Sequence, residues 1–187
     1  MIAEATPLPG LLLLRPRLIR DARGHFLEIW SRDRYEAAGL PSEFVQDNVS
    51  VSARGVVRGL HAQAAPHAQG KLVTVVHGAI FDVAVDARPD SATFGQWYGV
   101  ELRASAGTQL WIPSGFLHGF QALEENSVVQ YKCTAPYHQP AEFSVRWDDP
   151  AIGIRWPIEA PMLSAKDSEA PPLRVLDRRF LRLPPAP

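Results

Sequence analysis

The chain has 187 residues, enough for one domain with a substantial core. Apolar residues make up 46% and charged residues 21%, which is typical of a globular protein and argues against a disordered or membrane-embedded chain. Because the formal net charge is −1, no global field attracts nucleic acid or a membrane surface, and we expect neither as a partner. Any anionic ligand must then be held by local Arg and Lys side chains.

Two features of the sequence favour a cytoplasmic protein. The single cysteine, Cys133, cannot form an internal disulfide, as is usual in a reducing compartment. The apolar run at 11–14 is too short for a signal peptide or a membrane span, no basic stretch precedes it, and Arg15 follows it directly.

In chain order, the first predicted element is a helix at 32–38, which Ser31 would cap and Gly39 would end. Short runs rich in Val, Ile, Trp, Tyr and Phe follow between turn signals and predict strands at 71–76, 79–86, 97–102, 108–112, 127–133 and 142–147. The pattern predicts an all-β fold, an antiparallel sandwich or barrel. In the 79–86 strand, Asp82 and Asp86 share one face, and the other face carries Phe81, Val83 and Val85.

The chain is predicted to form a single domain over 1–187, since no internal repeat, low-complexity block or linker divides it. The Pro-rich tail at 170–187 is basic in its middle. We expect this tail to be partly loose or to lie over the surface.

Residues 111–118 contain a Pro-x-Gly-x-x-His pattern that resembles the second motif of the cupin superfamily. Cupins are jelly-roll β-barrels. Their metal-binding members supply one His from this motif, and a His-x-His pair with a nearby Glu from the first motif. The resemblance implies a cupin-type jelly-roll β-barrel with few short helices.

The corresponding first motif departs from the metal-binding pattern. It contains His61-Ala62-Gln63, with Lys71 further along and no Glu between 63 and 76. A divalent cation needs three or four converging N, O or S ligands, and the Lys71 ammonium would repel it. We therefore expect neither a metal nor another cofactor, and we interpret His67 as a surface residue.

The polar side chains predicted at the barrel mouth instead suit proton transfer. They are Arg58, His61, Lys71, His118, Tyr131 and Tyr137. A His moves protons near neutral pH, a Lys or Arg stabilises a developing oxyanion, and a Tyr on another strand acts as a weak acid. Such a set can remove a proton next to a carbonyl and return one to the opposite face, which is epimerisation. Ordinary structural roles also remain open to these residues, as a core His, a strand-edge Lys and a core Tyr.

Nine stretches in order resemble the dTDP-4-dehydrorhamnose 3,5-epimerase family, metal-free cupins that act on nucleotide sugars: residues 21–28, 44–50, 58–61, 69–73, 81–86, 113–120, 147–150, 154–157 and 164–167. The resemblance runs from about residue 8 to residue 175. It implies that His61 is the base, oriented by Asp167. Lys71 would stabilise the enolate oxygen, and Tyr131 would be the acid on the opposite face of the sugar.

The same resemblance implies a substrate-binding set. The diphosphate and nucleotide would be held by Arg58, Gln46, Asn48 and Lys166, while His118 would hydrogen-bond near the sugar and Tyr137 completes the set. Arg23 and Glu28 would lie on an N-terminal arm, about residues 1–30, that reaches into the neighbouring subunit of a homodimer.

The reaction implied by the resemblance inverts C3 and C5 of dTDP-4-dehydro-6-deoxy-D-glucose to give dTDP-4-dehydro-L-rhamnose through an enolate. Ala62, Pro136 and Ile19 depart from the family pattern, each by the loss of a ring. Because a lost ring changes substrate preference, a mono-epimerase of a related 4-keto-deoxysugar nucleotide is the alternative. A barrel that binds sugar nucleotides without catalysis is a more distant one. The nucleotide base and the downstream pathway stay open.

Overall fold

Residues 1–176, the part of the chain that the computed structural model describes, contain thirteen strands and two short α-helices. The strands are β1 Ile2–Ala5, β2 Leu12–Arg15, β3 Leu18–Asp21, β4 Gly24–Leu27, β5 Gln46–Ser52, β6 Val57–Gln63, β7 Lys71–His77, β8 Ala79–Asp86, β9 Trp97–Arg103, β10 Gln109–Ile112, β11 Phe116–Ala122, β12 Ser127–Cys133 and β13 Glu142–Ser144. The helices are α1 Arg32–Glu36 and α2 Ala165–Ser168, with 3₁₀ turns at Gln139–Ala141 and Leu173–Val175. The all-β prediction is confirmed. No helix in this part of the chain is long and apolar enough to cross a membrane.

The strands form two main antiparallel sheets. The first has six strands in the order β1-β2-β10-β7-β12-β5, and the second has five in the order β13-β6-β11-β8-β9. From β5 to β8, and again from β10 to β13, consecutive strands alternate between the two sheets. This alternation is the connectivity of a jelly roll, and it brings residues distant in the chain to one end of the barrel.

The observed strand ends follow the sequence prediction closely. The predicted strands at 79–86 and 127–133 coincide with β8 and β12, and three others differ by one residue at one end. The strand predicted at 142–147 ends at Ser144. Beyond it, Val145 bonds the Leu60 backbone, and the Arg146 N–H then donates to the Pro171 carbonyl at 2.9 Å. The C-terminal segment therefore replaces the sheet as the backbone partner.

The main core lies between the two facing sheets. Val73 and Leu110 from the six-stranded sheet pack with Ile80 and Phe116 from the five-stranded sheet, and each is at most 3% exposed. Burying side chains of this size stabilises the fold by about 1.5–3 kcal/mol each. This packing fixes the two sheets relative to each other, so that side chains from both can line one cavity.

The five-stranded sheet is buried on both faces. Val83 and Val85 face an outer cluster that the C-terminal segment covers with Leu173, among others. Asp82 and Asp86 share one face, as predicted; the structure shows that this face is the interior one, and both residues are fully buried. Residues 170–176 of the predicted tail lie over this cluster, and 177–187 fall outside the described residues.

Helix α1 is shorter than the predicted helix. It ends at Glu36, because the N–H groups of Ala38 and Gly39 bond three residues back rather than four, which tightens the last turn. Gly39 has a φ of +85° and ends the helix as predicted. Ser31 occupies the N-cap position, but its side chain makes no capping hydrogen bond, contrary to the prediction.

The hairpin of β3 and β4 stands apart from the two main sheets. Ile19 lies opposite Phe26 across the hairpin, and the two side chains are 47% and 67% exposed. The hairpin therefore presents apolar surface that no other residue in 1–176 covers.

Candidate active site

A cavity of about 470 Å³ opens between the two sheets. It is lined by Ser50, Val56, Val57, Arg58, His61, Lys71, His118, Phe120, Tyr131, Met162, Leu163, Ser164, Lys166 and Asp167. A smaller cavity of about 220 Å³ adjoins it and is lined by Gln46, Asn48, His61, Ala62, Gln63, Gln69, Lys71, Tyr131, Tyr137 and Glu142. Ten of the twelve predicted site residues therefore line one or both cavities.

The two sheets contribute different members of the predicted catalytic set. His61 lies on β6 in the five-stranded sheet, where it pairs in register with His118 on β11. Lys71 lies on β7 and Tyr131 on β12, both in the six-stranded sheet. His61 and Tyr131 thus approach the same space from opposite sheets, which is the arrangement that a base and an acid on opposite substrate faces require.

His61 is held by a buried carboxylate. Its Nε2 lies 2.5 Å from Oδ1 of Asp167, a residue only 3% exposed at the start of α2. The Ser164 hydroxyl caps α2 by accepting the Asp167 N–H at 3.1 Å, which fixes the carboxylate. Because Asp167 occupies Nε2, Nδ1 is the ring nitrogen left for a substrate.

The surroundings of the Asp167 carboxyl favour its ionised form. Burial by itself raises its pKa, but hydrogen bonds from the His61 ring, the Ser164 side chain and the Gly59 backbone outweigh burial and lower the pKa. An ionised Asp167 stabilises a positive charge on the imidazole of His61, as a carboxylate does in other His-based sites.

Burial shifts the pKa values of Lys71 and Tyr131. Lys71 makes no ion pair with any residue in 1–176, and burial lowers its pKa, against the opposing influence of Cys133, Glu142 and Asp82. Burial likewise raises the pKa of Tyr131, so its phenol stays protonated at neutral pH. The cavity therefore contains an unpaired amine and a neutral acid beside His61.

His118 is paired within the barrel. Its Nε2 lies 2.7 Å from Oδ1 of Asp82, and the two residues are 7% and 0% exposed. The ring still lines the larger cavity. The other carboxylate oxygen of Asp82 has no hydrogen-bond partner among the described residues.

Three of the remaining predicted binding residues are held by hydrogen bonds at the cavity edge. Arg58 donates to the Ser52 hydroxyl and to the Val51 carbonyl, both at 3.0 Å. Gln46 donates to the Asn48 side chain at 2.9 Å. These contacts place a guanidinium and two amides along β5 and β6, where they can reach an anionic or polar ligand.

Glu142 is a site residue that the sequence reasoning missed. Its Oε2 accepts the Tyr137 hydroxyl at 2.9 Å and lies 2.6 Å from the Lys166 ammonium. Burial raises its pKa, but the bonds from Lys166 and Tyr137 outweigh burial, so the net effect is a lowered pKa. The sequence predicted a strand at 142–147, but no local signal showed which residues Glu142 would contact.

Arg23 and Glu28 do not line either cavity. Arg23 pairs with Asp21 at 2.5 Å at the tip of the β3–β4 hairpin, where its side chain is 90% exposed, and Glu28 lies 3.1 Å from Arg34. Of the three departures from the family pattern, Ala62 lines the smaller cavity. Pro136 is exposed in the turn before Tyr137, and Ile19 lies on the hairpin.

The position of the missing cupin ligand is occupied by a structural amide. Gln63 is 7% exposed and bonds the backbone of His67, Pro136 and His138. Within residues 1–176, no three His, Cys, Asp or Glu side chains lie together as a metal site would require.

Comparison with known proteins identifies the family. Residues 5–175 match the family model described as dTDP-4-dehydrorhamnose 3,5-epimerase. The chain is 49% identical over 183 residues to the dTDP-4-dehydrorhamnose 3,5-epimerase of Salmonella typhimurium, and the match covers 97% of this chain and 98% of that one.

Solved structures with nucleotide sugars have the same fold. The dTDP-6-deoxy-D-glucose-3,5-epimerase of Legionella pneumophila, in complex with dTDP-4-keto-L-rhamnose, matches with a TM-score of 0.94 at 44% identity over 99% of both chains. A 3'-monoepimerase from Streptomyces bikiniensis, in complex with dTDP-quinovose, matches with a TM-score of 0.89 at 34% identity over 95% of this chain and 91% of that one. With a family match over nearly its whole length and this degree of identity, the chain belongs to the dTDP-4-dehydrorhamnose 3,5-epimerase family.

Proposed function

We propose that this protein converts dTDP-4-dehydro-6-deoxy-D-glucose to dTDP-4-dehydro-L-rhamnose by inverting C3 and C5. The proposal is carried by the arrangement of the cavity. His61, bonded to Asp167, enters it from one sheet, and Tyr131 enters it from the other. Lys71 lines both this cavity and the smaller one beside it. Family membership supports the same substrate, since the relatives in Salmonella typhimurium and Legionella pneumophila bear the corresponding names.

The first step removes a proton next to the ketone. Nδ1 of His61 takes the hydrogen from C3 or C5, and the electrons of the broken C–H bond move to the C4 oxygen to form an enolate. Lys71 stabilises the negative oxygen, and Asp167 stabilises the imidazolium. The α-proton of a ketone is a weaker acid than an imidazolium by more than ~10 pKa units, at about 1.4 kcal/mol each, so an unaided base would stall.

The second step returns a proton to the other face. The Tyr131 hydroxyl gives its proton to the carbanion carbon, the enolate electrons reform the C4 carbonyl, and the stereocentre is inverted. Solvent then reprotonates the phenolate and takes the proton from His61. One cycle at each of the two α-carbons gives the doubly inverted product.

The nucleotide end of the substrate is assigned to the polar groups at the cavity edge. Arg58 and Lys166 carry positive charge for the diphosphate, and Arg in particular suits bidentate phosphate contact. Gln46, Asn48 and Tyr137 lie along the smaller cavity, where they can contact the sugar-phosphate and the base. His118, which is fixed by Asp82, is assigned to the sugar.

Turnover in D₂O tests the proposal and its alternative together. The 3,5-epimerase reaction puts solvent deuterium at both C3 and C5, which NMR of the product resolves. Label at a single carbon favours a mono-epimerase, an alternative supported by the structural match to the Streptomyces bikiniensis 3'-monoepimerase. Nucleotide binding with no label at either carbon contradicts both and leaves a binding protein.

Replacing Tyr131 with Phe is expected to separate exchange from inversion. The base is intact, so the enolate still forms, but without the acid it takes its proton back from His61 on the face it left. We expect product formation to fall by about 10²–10⁴-fold, while deuterium still enters the unreacted substrate. Mass spectrometry and NMR of recovered substrate check this. Inverted product at the wild-type rate would contradict the assignment of Tyr131.

We also propose that the protein works in the cytoplasm as a homodimer in which the N-terminal arm completes the partner's site. Arg23 is 90% exposed and lies on a hairpin whose apolar residues Ile19 and Phe26 are left exposed by the described part of the chain. A second chain seated there would bury that surface and receive the Arg23 guanidinium.

Mixing two defective variants tests the arm. Arg23→Ala is expected to lower kcat/KM by about 10–100-fold through loss of a charged hydrogen bond. If the arm acts in the partner's site, subunit exchange between Arg23→Ala and His61→Asn chains restores one intact site per mixed dimer, or about a quarter of wild-type sites. Activity that stays at the level of the separate variants, although mass spectrometry shows mixed dimers, would contradict exchange of the arm.

A further inference from the structure

The turn that carries Tyr137 is held by side chains from both sheets. The N–H of Tyr137 donates to Oε1 of Gln46 at 2.7 Å, and the N–H of the next residue, His138, donates to Oε1 of Gln63 at 2.7 Å. Gln46 belongs to β5 in the six-stranded sheet and Gln63 to β6 in the five-stranded sheet. Two consecutive backbone donors are therefore fixed to opposite walls of the barrel.

Gln63 uses its whole amide in this way. Its Nε2 donates to the His67 carbonyl at 2.6 Å and to the Pro136 carbonyl at 3.2 Å, while its Oε1 accepts from His138. One side-chain amide has two donors and an acceptor, so none of the donors is left for a substrate. Although Gln63 lines the smaller cavity, all its bonds go to two neighbouring loops, one that contains His67 and one that contains Pro136 and His138.

The same two loops are joined by a pair of stacked rings. His67 and His138 lie with their ring centroids 3.8 Å apart and their planes at 4°. Nδ1 of His138 is buried and has no hydrogen-bond partner among residues 1–176. The ring of His138 is thus held by stacking on His67 rather than by a hydrogen bond from Nδ1, and this stacking connects the two loops.

We propose that Gln63 and the His67–His138 stack position the Tyr137 turn at the nucleotide end of the cavity, and so set the affinity for the nucleotide without contacting the reacting carbons. This rests on the proposed function, in which Tyr137 contacts the nucleotide. Tyr137 is 52% exposed, and its bonds to Gln46 and Glu142 hold only its own N–H and hydroxyl, so without Gln63 and the stack the backbone on either side of it would be ordered only when the ligand binds. A turn ordered beforehand avoids that loss of entropy.

The test compares Gln63→Met with Gln121→Met. Gln121 is also buried and bonds the backbone of a distant segment, Ile158, through both amide atoms at 2.8 and 2.9 Å, but it lines neither cavity. We expect Gln63→Met to raise the Kd for dTDP by about tenfold, with kcat at saturating substrate within about twofold of wild type. Gln121→Met should lower Tm but leave the Kd for dTDP unchanged. Calorimetric titration with dTDP and steady-state kinetics measure these quantities.

A second pair of variants covers the case in which Gln63→Met does not fold. His138→Phe keeps a flat ring against His67 and should bind dTDP as wild type does, whereas His138→Ala should raise the Kd by about three- to tenfold. Unchanged dTDP affinity in Gln63→Met or His138→Ala, or a loss of kcat with an unchanged Kd, overturns the inference. A wild-type chain that does not bind dTDP contradicts the proposed function instead.

Discussion

Replacing His61 with Asn is expected to lower kcat by about 10²–10⁴-fold while the Kd for dTDP stays within about threefold of wild type. Asn is close to His in size and can still bond Asp167, so the cavity keeps its shape, but it cannot accept a proton. Steady-state kinetics and titration with dTDP give the two quantities. Deuterium exchange into the substrate should be lost as well, because the enolate no longer forms.

Asp167→Asn tests the partner of His61 and complements the His61→Asn variant. The amide keeps the volume at the 3%-exposed position but removes the charge that stabilises the imidazolium. It should also lower kcat with little change in dTDP affinity. Wild-type turnover by His61→Asn would remove His61 from the mechanism, and normal kcat in Asp167→Asn would limit Asp167 to a structural role.

Replacing Lys71 with Met is expected to lower kcat by about 10²–10³-fold, the loss that follows removal of one preorganised oxyanion donor. Burial lowers the Lys71 pKa, so in the folded protein the ammonium loses its proton at a lower pH than an ordinary lysine does. Activity that needs the ammonium should therefore fall as pH rises, below the pH at which a free lysine titrates. Lys71→Arg keeps a cation that holds its proton to a higher pH than lysine does, so it should move this alkaline limb upward.

Lys71 affects stability and activity in opposite directions as pH rises. In the unfolded chain Lys71 has its usual pKa and binds the proton more tightly than in the fold, so its contribution to the free energy of unfolding rises with pH between the two values. Removing an unpaired buried cation should then raise Tm in Lys71→Met even as activity is lost. A lowered Tm, or an alkaline limb that does not move in Lys71→Arg, would contradict the position assigned to this ammonium.

The strands could be predicted because their signals are local. The runs at 79–86 and 127–133 are β-branched and aromatic segments bounded by turn residues, and these coincide with β8 and β12. Errors occurred where tertiary contacts decided the outcome. Val145 still bonds Leu60 on β6, but the Arg146 N–H bonds the Pro171 carbonyl of the C-terminal segment instead of a sheet neighbour.

The candidate site was predictable where ordered motifs marked it. The pattern around His61 and Lys71 and the motif ending at His118 indicated a barrel whose mouth lacks the usual metal ligands. Glu142 and Gln63 could not be assigned in the same way. Their contacts to Lys166 and to the backbone of His138 depend on which loops meet in space.

The sequence by itself determined the all-β class, the main strand positions and the residue types available for proton transfer, because periodicity and ordered motifs are properties of the chain. The family resemblance implied that Asp167 orients His61 and that Tyr131 acts from the opposite face, but only the tertiary structure shows the contact across 106 positions and the placement of Tyr131 on the other sheet. Jelly-roll connections cross between sheets, so residues far apart in sequence become neighbours through sheet pairing and core burial rather than through any local signal.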